Sequence, residues 1–90
     1  MDTAAISTDA EARQATVLLA AIEAMEATLA LAEAFAAERR PIDLDGLENE
    51  IGRLCVACLA APRSALPALR ARLMALVGLV DRLRAAMAPP

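Results

Sequence analysis

The sequence predicts an all-α protein of three helices, at about residues 8–40, 46–60 and 64–87. Three observations carry this. Apolar residues recur in alternating steps of three and four along most of the chain, the spacing of one helix face. Turn residues interrupt that pattern at two interior places, PIDLDG and the Ala61-Pro62 step before Ser64. No segment shows the alternating, β-branched pattern of a strand.

The first helix is the element around which the chain is organised. Ala15, Leu18, Ile22, Met25, Leu29, Ala32 and Ala36 form its seam, and neither Gly nor Pro falls within Thr8–Arg40. Thr8 with Glu11 has capping-box spacing, and Pro41 disfavours helical geometry at Arg40. Residues 1–7 then read as a disordered N-terminal lead. The second helix is expected to start near Gly46, with Asp45 and Glu48 as its capping box. Its seam is Leu47, Ile51, Leu54 and Cys58, widened by Val56 and Leu59. Gly52 within it costs about 0.5–1 kcal/mol, which predicts close approach of another backbone. Ser64 is expected to cap the third helix, and Pro67 is tolerated in the first turn. Leu66, Leu69, Leu73, Leu76, Val80, Leu83 and Met87 make its seam, extended by Met74, Val77 and Leu79.

Helix lengths imply that one copy cannot cover its own apolar surface. At about 1.5 Å per residue the first helix runs roughly 45–50 Å, the second roughly 22 Å and the third roughly 35 Å. Helices two and three either fold back separately or form one kinked arm, since the seam continues across Pro62 in steps of four. Both layouts leave a long apolar strip, so an open bundle completed by homo-dimerisation is expected, as four-helix pairing. The expected interaction surface is Leu18, Ile22, Met25, Leu31, Phe35, Met74 and Val77.

Composition narrows the function classes. The chain has 90 residues, 59% of them hydrophobic, and Phe35 is its one aromatic residue. Base stacking and aromatic-anchored grooves are therefore disfavoured. A net charge of −3 argues against nucleic acid as a partner, because phosphate contacts need a basic face. The charge is divided: residues 1–62 carry eleven acidic against four basic side chains, whereas Asp81 faces five Arg within 63–90. Complementary helix faces within the fold or a dimer account for such a division, and an acidic partner is the alternative. The longest uncharged runs are about half of the ~20 residues that a membrane span needs. With no basic leader segment at the N-terminus, the expected location is cytoplasmic.

No catalytic, cofactor-binding or metal-binding constellation is expected. Cys55-Val-Ala-Cys58 is the one motif of interest. A structural zinc site takes four ligands, and the chain has no His and no second Cys pair. Cys55 also lies two turns into a helix rather than at the N-terminus, where thiols are activated. Both cysteines therefore read as reduced packing residues. Glu23, Glu26 and Glu33 read as a solvated helix face.

Two resemblances suggest functions. The stretch Ala37-Glu38-Arg39-Arg40 at the end of a long first helix resembles the corresponding stretch of helical chorismate mutases. That resemblance implies an intertwined dimeric enzyme holding an anionic substrate through arginines, for which Arg13, Arg39 and Arg53 are the candidates before the third helix. The texture of Val17–Leu29, with the leucine seam of the third helix, resembles small flagellar and type III export chaperones, which hold a partner's helix in a groove. The favoured expectation is a non-enzymatic helical interaction module of chaperone or adaptor character. An open apolar groove would accord with it, whereas an enzyme calls for convergent arginines in an enclosed pocket.

Overall fold

A computed structural model describes residues 3–88, with side chains placed from residue 9 onward. Ala-, Leu- and Glu-rich sequence without internal Gly or Pro gives α1, Thr3–Ala37, which is followed by α2, Leu44–Cys58, and α3, Leu66–Met87. No strand occurs among the described residues. Each helix packs against the other two.

The path of the chain is fixed by contacts that keep one sequence offset. The Gln14 amide donates to the Ala60 carbonyl at 3.0 Å, and Arg72 donates to Glu26, in both cases across 46 residues. Farther along, Glu33, Ala36 and Ala37 share a cleft with Arg82, Leu83 and Ala86. α3 therefore runs parallel to α1 in register, and α2 runs antiparallel to both. Helices two and three fold back separately, and the kinked-arm layout is excluded. The turn at Pro62 is closed by Ala65 N–H to the Pro62 carbonyl at 2.9 Å. Because Gln14 meets that turn, the α1 backbone N-terminal to it runs on past the bundle, and the whole molecule measures 63 Å by 16 Å by 16 Å.

The core is one stripe from each helix. Leu18, Ile22, Met25, Leu29 and Ala32 meet Ile51, Cys58 and Ala61 on one side and Leu69, Leu76, Val80 and Leu83 on the other. The three–four spacing of α1 is thus its buried face. Asp9–Ala37 is also long and apolar enough, by length and composition, to cross a membrane. Here its apolar stripe is bundle core, and Glu26 in its middle is paired with Arg72.

Helix ends differ from the sequence expectation, and each difference has a local cause. α1 starts at Thr3, so Thr8 lies inside the helix instead of at its N-terminus. Met1 and Asp2 lie outside the described residues. α1 stops at Ala37 because Arg39 turns left-handed, with φ 59°. Arg40 N–H then reaches the Phe35 carbonyl at 2.9 Å and Arg39 N–H the Ala36 carbonyl at 3.0 Å, the paired bonds of a Schellman end. The apolar clasp usual to that motif is supplied by the Arg40 guanidinium, 5.7 Å from the Phe35 ring centroid. α2 begins at Leu44, capped by Asp43, whose carboxylate accepts from Gly46 N–H at 2.9 Å. The cap is Asp43, not Asp45, and a Cβ on Gly46 would come within 2.4 Å of that carboxylate. Gly52 has open space around it, so its expected close backbone contact is absent and it is simply a weak point on the exposed side of α2. α3 starts after Ala65, without a side-chain cap, and Ser64 sits in the preceding turn.

Two outcomes follow for stability. Leu76 is fully buried at the centre of α3, so Leu76→Asp should abolish the cooperative melt in circular dichroism, and Leu76→Ala should cost about 2–5 kcal/mol in urea. Arg39→Gly should stabilise the protein by about 0.5–1 kcal/mol, because Gly takes the left-handed conformation without the Cβ penalty. An unchanged or lower denaturation midpoint would contradict that account of the α1 terminus.

Candidate functional site

Using α3 on one face for the core leaves its adjacent face bare. Leu66, Met74 and Val77 are exposed there, and across from them Leu59, at the C-cap of α2, is exposed. Together with Cys55, Cys58, Leu69 and Leu73 these residues line an open apolar groove of about 1090 Å³ between α2 and α3. Arg63 and Arg70 are the charged residues of its lining. Leu59 is 81% exposed and Met74 62%, values that leave nearly whole side chains in water.

The expected interaction surface is divided by the fold. Met74 and Val77 line the groove. Leu31 is exposed on α1 outside it, and Phe35 is half-buried beneath Arg40. Leu18, Ile22 and Met25 are corrected: they belong to the core within a single copy and offer no open surface. The correction arises because α3 runs the full length of the α1 seam, so the strip expected to stay bare is covered by the chain itself. The groove residues missing from the expectation include Leu59, Leu66, Cys55 and Arg70. For Leu66 and Arg70 the signal was the helical stripe Leu66, Arg70, Met74, Val77, Asp81, which lies beside the α3 seam.

Charged residues are distributed so as to tie helices together. Arg72 Nε and Nη2 reach Glu26 Oε1 at 3.0 and 2.7 Å, with both side chains a little over a third exposed. Arg84 pairs with Glu48, joining α3 to α2. The acidic first part of the chain and the basic third helix thus complement each other inside the fold. Glu26 is therefore not on a solvated face. Arg53 pairs with Glu50 on the exposed side of α2 at 2.8 Å. Arg13, Arg39 and Arg53 are not brought together, since Arg13 lies beside Gln14 and Arg39 lies beyond the other end of α1, about 39 Å away along the helix.

Both cysteines are free thiols, Cys55 half-buried in the groove wall and Cys58 in the core. Burial pushes the Cys58 thiol above its ordinary pKa, and the neighbouring Cys55 adds to the rise. Cys58 is thereby a poor nucleophile and a poor metal ligand at neutral pH. Among the described residues no group of three or more His, Cys, Asp or Glu is placed to hold a metal ion. Comparison with family models, curated proteins and solved structures finds no match to this chain.

The thiol shift has a measurable consequence. A raised folded-state pKa means that the native chain keeps its proton to higher pH than the unfolded chain. Its contribution is complete below the ordinary thiol pKa of about 8.5 and is lost as pH rises through the folded value. The chain has no Lys, Tyr or His, so none of these residue types overlaps the Cys58 titration. The denaturation midpoint should fall as pH rises above the ordinary thiol value, and the fall should be shallower in Cys58→Ala. Equal slopes would contradict it.

Proposed function

We propose that this chain is a non-enzymatic helical protein-interaction module, of chaperone or adaptor character, that works as a homodimer and binds helices through the α2–α3 groove. The observation that carries the reading is the groove itself: an open apolar trough between two antiparallel helices, with Leu59, Leu66, Met74 and Val77 in its walls. A helix laid along such a trough buries its own apolar face at i, i+4 and i+7 positions, the usual mode of helix-in-groove recognition. Exposed Leu and Met are costly to leave in water when contiguous, and a bound helix removes them from it. Met74 adds an adaptable side chain suited to more than one helix. Phe35 is the sole aromatic residue and lies outside the trough. Affinity there rests on aliphatic packing alone.

The test is fluorescence anisotropy with a fluorescein-labelled amphipathic helical peptide, run beside a Leu59→Glu/Met74→Glu variant. Both positions are exposed, so the variant should keep its helicity and melting point. The wild type should bind with a micromolar Kd and the variant at least tenfold more weakly, since two buried carboxylates together oppose docking by more than 1.4 kcal/mol. Equal behaviour of wild type and variant, with both monomeric, would overturn the reading.

A further inference from the structure

Along one exposed face of α3, which borders the groove from Leu66 to Val77 and continues beyond it, the side chains form a sequence that reads as its own complement. Leu66, Arg70, Met74, Val77, Asp81 and Ala85 are all exposed and follow one another in steps of four, four, three, four and four. At 100° per residue they fall within about 100° of the helix circumference. The order is large apolar, positive, apolar, apolar, negative, small apolar. Reversing the direction exchanges Met74 with Val77, Arg70 with Asp81, and Leu66 with Ala85.

From this pattern we propose that the groove is occupied by α3 of a second copy of this chain, antiparallel to the first, about a twofold axis between Ala75 and Leu76. It rests on the reading of the groove as a helix-docking surface and names its occupant in the free protein, which a peptide or partner helix has to displace. In this register Met74 packs on the partner's Val77 at the centre. Arg70 meets the partner's Asp81, and the symmetry repeats that pair on the other side of the axis. Leu66 lies over the partner's Ala85, a large side chain against a small one, which permits close approach. A parallel arrangement would set Arg70 against the partner's Arg70 and Asp81 against the partner's Asp81, so charge selects the antiparallel one. Among the described residues neither Arg70 nor Asp81 has an ion-pair partner within the copy, whereas Arg72 and Arg84 on the same helix are both engaged. Three charges on α3 are left without an ion pair among the described residues, Arg70, Asp81 and Arg82, and the two that lie on this face, Arg70 and Asp81, stand at matching distances from the centre with opposite sign.

Sedimentation equilibrium on the full chain, with single and paired charge reversals, tests this. Wild type should be a dimer at micromolar concentration. Arg70→Asp and Asp81→Arg should each raise the dimer Kd by about tenfold or more, because each places two like-charged pairs across the axis. The double variant Arg70→Asp/Asp81→Arg should return to within about threefold of wild type, the recovery that marks a direct pairing. Helicity and melting point, measured by circular dichroism under conditions where each variant is monomeric, should not differ, since both sites are exposed. A dimer indifferent to the single reversals, or one that the double reversal fails to restore, would overturn the register. A monodisperse 9.4 kDa species that still binds the amphipathic peptide would overturn the second copy as occupant while leaving the groove as a docking site for another protein's helix. A monomer that binds no helix would overturn both.

Discussion

The parallel pairing of α1 with α3 is the constraint on which the remaining structure depends. With a fixed offset of 46 residues, Gln14 meets Ala60 and Glu26 meets Arg72. The stripe Leu18, Ile22, Met25, Leu29 and Ala32 thereby lies along Leu69, Leu76, Val80 and Leu83. α2 has only to close the third side of that pair, and its fifteen residues suffice. The core is a single layer of aliphatic side chains with no aromatic ring in it. Such a core has little volume to spare, so each fully buried residue, Leu76 above all, carries a large share of a margin that is narrow in any 90-residue chain.

Charge sets the alignment of these helices more than it sets their stability. The Arg72–Glu26 and Arg84–Glu48 pairs join α3 to α1 and to α2. Both lie at partly exposed positions, where such a pair contributes about 0–1 kcal/mol. A slip of one turn of α3 against α1 would move Arg72 off Glu26, though, and a slip against α2 would move Arg84 off Glu48. Apolar seams built on repeated three–four steps tolerate a shift of one turn more readily than ion pairs do. The division of the sequence into an acidic first part and a basic third helix is therefore a register device within one copy.

Where the sequence was legible, the reason is periodicity. All five buried α1 residues belonged to the seam read from spacing, and so did the four buried residues of α3. Helix ends were less legible because they are decided by single local bonds. Asp43 and Asp45 both precede a plausible capping partner, and which one caps depended on Gly46 making room for the Asp43 carboxylate. A left-handed Arg39 has no sequence signal at all, since that conformation is ordinarily a glycine's. The groove was half legible. Met74 and Val77 stood out as apolar residues off the seam, but Leu18, Ile22 and Met25 were assigned outward because the direction of α3 could not be read from a turn containing Pro62. Parallel return of α3 covers them within the single copy.

That return also explains why the exposed apolar surface sits where it does. α3 has two apolar faces about 110° apart around its axis. Leu69, Leu76, Val80 and Leu83 form one, and Leu66, Met74 and Val77 form the other. A three-helix bundle can bury only one of them, since α1 and α2 both contact α3 on the same side. The second face would be a liability if it were continuous, because a long apolar strip associates without selectivity. Arg70 falls between Leu66 and Met74, and Asp81 follows Val77 and ends the strip. An interrupted strip resists indiscriminate association and favours a surface that supplies opposite charges in the matching places. With aliphatic side chains alone to provide contact energy, that charge order would give the proposed docking of a helix a preferred direction.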